Sequence, residues 1–190
     1  MGLFDFFRSK PAPRPEPALD VMHDLTLSRM LPGYLVDFEM RTYQVRDRAE
    51  ADYGQGRTAT EWDLRAADDR IRLLGEPERG DIRWTVLREV PLGEIDGDVR
   101  HDVVTSGDPA PQLFFQSVPY VQDRTGAGYL RRQGGRGPEE GFVYWTYSRA
   151  DDPSRVLRLE QVSETEVAAA AGERVEEYRF ANILPGPGRV

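Results

Sequence analysis

The chain contains no cysteine, which excludes disulfides, thiolate metal sites and a cysteine nucleophile. Lysine is nearly absent too: Lys10 is the single one among 25 basic residues, and histidine occurs only as His23 and His101. A metal site would have to be built from carboxylates and at most two imidazoles. Positive charge is in deficit, since 33 acidic residues leave a formal charge of −8 and a pI of about 4.9. That balance argues against a grip on DNA or RNA, which needs a basic face to displace counterions from phosphates. No apolar run approaches the ~18 residues needed to span a bilayer. The apolar start is too short for a secretory leader and runs into proline. What remains is a 190-residue chain, 39% hydrophobic and 31% charged, with apolar mass for a core and a size of one to two domains.

The first ten residues stand apart. On a helical wheel Leu3, Phe4, Phe6 and Phe7 fall within one arc of about 160°, with Asp5, Arg8 and Ser9 opposite. A segment this short does not hold a helix alone in water. It is expected to order when its Phe face meets a bilayer surface, a protein groove or the body of the domain. A myristoylation pattern fails because Phe6 stands where Ser or Thr is required. Residues 11–18 carry proline at positions 11, 13, 15 and 17, which favours an extended, semi-rigid spacer.

Beyond Leu19 the pattern is that of strands. After a turn at Pro32-Gly33, apolar and polar residues alternate through 34–40 and 42–45, and again at 62–66, 71–73 and 82–86. The alternation returns at 142–147, 156–159, 167–171 and 178–180, with Gly and Asp clusters between the runs. This spacing predicts a mainly β chain, as a sandwich or a partly open barrel. Helix is expected only at the amino terminus and for a turn or two within Leu19 to Met30.

An internal repeat underlies these runs. Trp62, Ala67, Asp68 and Asp69 recur as Trp145, Ala150, Asp151 and Asp152, all at an offset of 83 residues, and a short strand follows each Asp-Asp pair. Upstream, Tyr43-Gln-Val-Arg-Asp47-Arg48 matches Tyr120-Val-Gln-Asp123-Arg124. Two matches in the same order suggest two related antiparallel β-modules. The boundaries read as 1–10 tip, 11–18 spacer, 19–97 first module, 98–111 connector and 112–190 second module. The Asp-Asp pairs suit turns, because Asp bonds its own backbone two residues on. Trp62, Trp84 and Trp145 suit a core before they suit a ligand platform.

Several of these elements carry a family resemblance. They are the Pro-Gly turn leading into Tyr34-Leu-Val-Asp-Phe38, Tyr43-Gln-Val45, Glu61-Trp62-Asp-Leu64, Tyr144-Trp145-Thr-Tyr147, Leu157-Arg-Leu-Glu160 and Asn182-Ile-Leu-Pro185-Gly186. Together they resemble the bacterial domain of unknown function numbered 4178, over roughly residues 24 to 186. The resemblance brings no catalytic residues with it. It implies a place in bacterial gene neighbourhoods that include phage-shock-type membrane-remodelling proteins, ion channels and aminopropyltransferase-like enzymes. The opening Met-Gly-Leu-Phe is also similar to the membrane-touching start of some phage-shock-type proteins.

Catalytic constellations are scarce. Asp96-Gly-Asp98-Val-Arg-His101-Asp102 starts like a calcium loop, but His101 stands where glycine is needed and no Glu stands at the twelfth position; it suits a solvated acidic connector. Gly126-Ala-Gly128-Tyr-Leu-Arg131 breaks the dinucleotide fingerprint at its last position. Arg131-Arg132-Gln-Gly-Gly-Arg136 is a basic loop suited to a hairpin tip. The adjacent pairs Glu139-Glu140 and Glu176-Glu177 would point to opposite faces of a strand. No catalytic, metal or cofactor residue is therefore expected. The expectation is a non-enzymatic β-rich scaffold, cytoplasmic and peripheral at the inner face of the membrane, in a bacterial envelope-stress system. Its partners would be proteins, membrane-remodelling ones of the phage-shock type among them, with weak membrane contact through Leu3, Phe4, Phe6 and Phe7 and no nucleic acid. The alternative is a small-molecule-binding barrel or sandwich whose cavity is lined by Trp62, Tyr144, Trp145 and Tyr147.

Overall fold

A computed structural model describes residues 25–132 and 139–186. The tip residues Leu3, Phe4, Phe6 and Phe7 and the spacer lie outside that range, so the N-terminal helix expected there does too. The described residues form eleven strands: β1 (Leu35–Phe38), β2 (Arg41–Asp52), β3 (Thr58–Arg65), β4 (Arg70–Glu78), β5 (Asp81–Val90), β6 (Gln112–Phe115), β7 (Val118–Arg132), β8 (Glu140–Arg149), β9 (Arg155–Gln161), β10 (Val167–Val175) and β11 (Phe180–Leu184). One α-helix, α1 (Val99–Ser106), and short 3-10 turns at Leu27–Arg29, Leu92–Glu94 and Glu177–Arg179 join them.

All neighbouring strands are antiparallel, in the order β11-β1-β2-β3-β4-β5-β10-β9-β8-β7-β6. A further pairing of β2 with β7, Ala49 to Asp52 against Arg132 to Tyr129, closes strands β2–β5 and β7–β10 into an eight-stranded barrel. The mainly β expectation stands, but the body is a closed barrel and neither a sandwich nor a partly open one. The closure depends on length. β2 has twelve residues and β7 fifteen, so both outrun their hairpin partners far enough to meet.

The barrel is apolar on its outside. Directly paired residues share a face, and following the registers places Trp62, Leu64, Ile71, Leu73, Trp84 and Val86 on the outer face of β3–β5. There they form one cluster, covered by Leu27, Met30, Val36, Phe38 and Phe180 from the first turn, β1 and β11. On the other flank Trp145, Tyr147, Leu157, Leu159 and Ala169 form a second cluster, covered by Val99 and Val103 of α1 and by Leu113 and Phe115 of β6. Each cover is pinned by an indole. Trp62 Nε1 donates to the Met30 carbonyl and Trp145 Nε1 to the Asp108 carboxylate, both at 2.9 Å. Tyr147 adds a hydroxyl donated to the Ala110 carbonyl.

Along the sheet β1–β5 follow one another in chain order and β6–β10 in reverse, with β5 and β10 side by side. β2 bulges between Val45 and Asp47 opposite residues 63–64, and β7 bulges between Gln122 and Arg124 opposite residues 146–147. Three local expectations change. The stretch from Asp96, expected as a solvated connector, starts a helix: the Asp98 carboxylate accepts from the His101 amide at 3.0 Å, and Gly107 ends the helix at φ +81°. Residues 178–180, expected as a strand, are mostly a 3-10 turn, because the strand begins only at Phe180. Arg131 and Arg132 are strand residues, not part of a tip.

Candidate functional site

The two large apolar clusters face outward, and the inward faces carry charge among smaller apolar groups. Glu61 on β3, Arg72 and Glu76 on β4, Arg124 on β7, and Arg158 and Glu160 on β9 all point into the lumen, and their contacts cross it. Arg72 donates to Glu160 at 2.6 Å although β5 and β10 lie between their strands, and Arg124 reaches Glu76, also at 2.6 Å, from β7 to β4. A second guanidinium, Arg158, donates to Glu160 at 2.6 Å from two residues away on the same strand. Such contacts need no loop, since an eight-stranded barrel is just wide enough for inward side chains to touch.

At one end the lumen opens into a cavity of about 780 Å³. Its walls are unequal in character. β2 and β3 contribute Asp47, Glu61 and Asp63, while Leu130 of β7, Phe142 of β8, Val162 just after β9, and Ala168 and Ala170 of β10 form an apolar wall. Deeper in, Glu76 holds Arg83 at 3.1 Å and Arg124 at 2.6 Å. A void of about 20 Å³ beside them shows how fully that part of the lumen is filled.

The floor of the cavity is the quartet Glu61, Arg72, Arg158 and Glu160. Arg158 is 3% exposed and lies 4.6 Å from the Tyr144 ring centre and 5.9 Å from that of Tyr53. Its guanidinium also donates to the Tyr53 hydroxyl at 3.4 Å. The aromatic faces add to the Glu160 pairing in compensating this cation for its lost hydration. Burial works against ionisation of Glu160, but the flanking Arg72 and Arg158 outweigh it and bring its carboxyl down to about 2. Glu61 goes the other way. Burial pushes its carboxyl up from the ordinary 4.5 and Arg72, 3.8 Å away, offsets this only in part, with Glu160 adding repulsion. The two carboxylates share a site and differ in partnering: Glu160 is held by two arginines, and Glu61 accepts no hydrogen bond among the described residues.

Burial also raises the Tyr53 hydroxyl to about 12, so it stays a neutral hydrogen-bonding group. Two glycines make room around these rings, and a third lets two strands close on each other. A Cβ on Gly126 would sit 3.1 Å from the Tyr144 hydroxyl, and one on Gly128 would be 2.8 Å from the Asp52 carbonyl oxygen. At Gly172 a Cβ would lie 1.8 Å from the Val86 carbonyl oxygen, so only glycine lets β10 approach β5 there.

The four aromatics predicted to line a pocket are not brought together around one. Trp145 and Tyr147 belong to the second outer cluster, and Trp62 belongs to the first and only borders the cavity. Tyr144 alone faces inward, stacked under Arg158 beside Tyr53 and Phe142. The residues that shape the cavity, Glu61, Arg72, Arg158 and Glu160 above all, escaped sequence reasoning. Each lies at an alternate position of a strand, where a charge normally means solvent.

An uncharacterised protein of Aquifex aeolicus (strain VF5) is 24% identical over 160 residues, covering 84% of this chain and 85% of that protein. No solved structure matches. The family model described as a domain of unknown function (DUF4178) matches residues 31–177, from the turn before β1 to the turn before β11. The chain belongs to that family.

Proposed function

We propose that this barrel binds a small organic molecule in its open end. The observation that carries the reading is the cavity of about 780 Å³ floored by the charged quartet, of which Glu61 and Arg158 are buried; its size falls within the ~300–1,000 Å³ usual for small-molecule sites. An oriented set of charges beside an apolar wall suits a ligand with a polar end and an apolar body. The charged lining residues are carboxylates and guanidinium groups, with no serine, threonine, histidine or lysine among the described ones, a set suited to recognising a ligand through charge and charge-assisted hydrogen bonds. Native mass spectrometry of the protein purified from its own cells tests the reading. The expected result is an added small mass that disappears in Ala168→Trp, a variant that fills the open end from the exposed, cavity-lining Ala168. The same adduct persisting in that variant would overturn it. The scaffold role, its protein partners and a position at the membrane rest on residues 1–17 and on the family resemblance, and the barrel adds nothing to them.

A further inference from the structure

We infer that the ligand of the barrel cavity is an amphipathic amine, its ammonium received by Glu61 and its apolar body lying against Leu130, Phe142 and Ala168. The inference rests on the proposed cavity function and adds the chemical class.

The charges that line the cavity are unequal. Seven carboxylates face it, Asp47, Glu61, Asp63, Asp69, Glu89, Glu140 and Glu160, against the five guanidinium groups of Arg70, Arg72, Arg88, Arg132 and Arg158. More telling is how each is engaged. Every one of the five arginines already holds a carboxylate at 3.0 Å or less: Arg70 with Asp63, Arg72 with Glu160, Arg88 with Asp69, Arg132 with Asp47 and Arg158 with Glu160. An incoming anion would meet guanidinium groups whose charge a carboxylate already neutralises. A cation meets no such competition. Glu61 is 8% exposed, faces the cavity and has no ion-pair contact shorter than the 3.8 Å to Arg72. Its unfilled lone pairs, in a site of low dielectric, make it the strongest acceptor left. Glu140, whose contact with Arg132 is 3.5 Å, stands at the rim as a second acceptor on the entry path.

The apolar wall completes the specification. Leu130, Phe142, Val162, Ala168 and Ala170 offer no hydrogen-bonding side chain, so the rest of the ligand gains by being apolar. Binding is also coupled to pH. The charged groups facing Glu61 are Arg72 from β4, Arg158 and Glu160 from β9, and Arg132 from β7. Against that surrounding, burial favours the protonated carboxyl, and an ammonium favours the ionised one. Amine binding therefore releases a proton, and affinity rises with pH through the titration of Glu61.

Calorimetry with three probes of one shape tests this: 3-phenylpropylamine, 3-phenylpropan-1-ol and 3-phenylpropionate, each against the full chain, Glu61→Gln and Ala168→Trp. The expected result is that the amine binds tightest and that Glu61→Gln weakens it about tenfold or more while leaving the alcohol unchanged. Ala168→Trp should abolish both. Tightest binding by the carboxylate probe, lost in Ala168→Trp, would overturn the amine inference and leave the cavity reading standing. Amine binding indifferent to Glu61→Gln overturns the role of Glu61. If no probe binds at millimolar concentration, or if binding ignores Ala168→Trp, the cavity reading itself fails and the inference with it.

Discussion

The two faces of the barrel wall divide the work of the molecule. Outside, tryptophans and branched aliphatics are covered by β1, β11, β6 and α1 in two apolar clusters. Inside, charges are neutralised across the lumen, with Tyr53 and Tyr144 stacked beneath Arg158. A small barrel more commonly packs its lumen with apolar side chains. Here the two largest apolar clusters lie on the convex side, where the covering segments keep them dry, and only smaller ones lie within, around Tyr53, Leu74 and Tyr144 and around Leu87, Val156 and Ala170. Stability and recognition are thus assigned to opposite faces of the same strands. Neighbouring residues such as Glu61 and Trp62, or Arg158 and Leu159, belong to different tasks.

If that division holds, truncating the outer face gives the largest loss. Trp145 is fully buried, and its indole N–H is bonded to Asp108. Trp145→Ala is expected to cost about 3–5 kcal/mol, read as a melting temperature lower by roughly 10 °C or more. The loss should come with release of the α1 and β6 cover, visible as faster amide exchange at Val99 to Ser106.

The lumen answers differently, because its contacts are ionic. Glu160→Gln leaves Arg72 and Arg158 without their shared partner, a kind of change that costs about 3 kcal/mol or more. The lower end is expected, since Glu61 stands 3.8 Å from Arg72 and can take over part of the pairing. The pH signature separates this from any outer-face variant. The Glu160 carboxyl is lowered from 4.5 to about 2, so its stabilisation is complete above the unfolded value and is lost as pH falls from about 4.5 towards 2. Denaturant titrations across that window should show the parent converging on Glu160→Gln, whereas Trp145→Ala should stay offset at every pH.

How much of this was legible in the sequence follows from the same two faces. The period of two placed parts of eight of the eleven strands, because it is set by backbone geometry whichever side is buried. It could not tell which side was the lumen. Leu157-Arg158-Leu159-Glu160 is what a strand with one solvated face looks like, and it is also what a strand of an inverted barrel looks like. The second half of β7 was lost for another reason. Thr125-Gly-Ala-Gly128 has no apolar alternation, because glycine there makes room for Tyr144 and Tyr53. Helix α1 was hidden by its short, polar sequence, although Asp98 and Gly107 mark its ends. Trp62 and Trp145 were found at one spacing, and both turn out to hold a cover by an indole N–H.

That shared task allows a smaller test of the outer face. Trp62→Phe keeps most of the apolar contact with Trp84, whose ring centre lies 5.7 Å away, and removes the bond to the Met30 carbonyl. The expected cost is about 1–2 kcal/mol, combining the lost bond with an acceptor left buried. Exchange at residues 25–30 should quicken while residues 99–106 stay protected. Equal loosening of both covers would mean that the two clusters are not independent.

The smallest effect, and the one that changes sign, belongs to Glu61. Burial raises its carboxyl above 4.5, so the folded state holds its proton more tightly than the unfolded chain does. The linkage has a definite direction: a raised carboxyl favours the fold while it is protonated and weighs against the fold as pH rises through the unfolded value towards the folded one. Glu61→Gln carries no such proton. Relative to the parent, the variant should therefore gain stability as pH rises from 4.5 to neutrality, a range in which Glu160 stays ionised in the folded state. Near 4.5 the two should differ little, or the parent should be favoured, since a protonated glutamic acid and a glutamine present similar groups to Arg72. The measurement is the difference between the two unfolding free energies at several pH values, so the other carboxylates largely cancel. A difference that moved in the parent's favour with rising pH would mean that Arg72 and Arg158 stabilise the Glu61 charge more than burial opposes it. Glu61 would then be a satisfied member of the quartet, and the cavity would lose the one unfilled acceptor that makes its floor different from its plugged end.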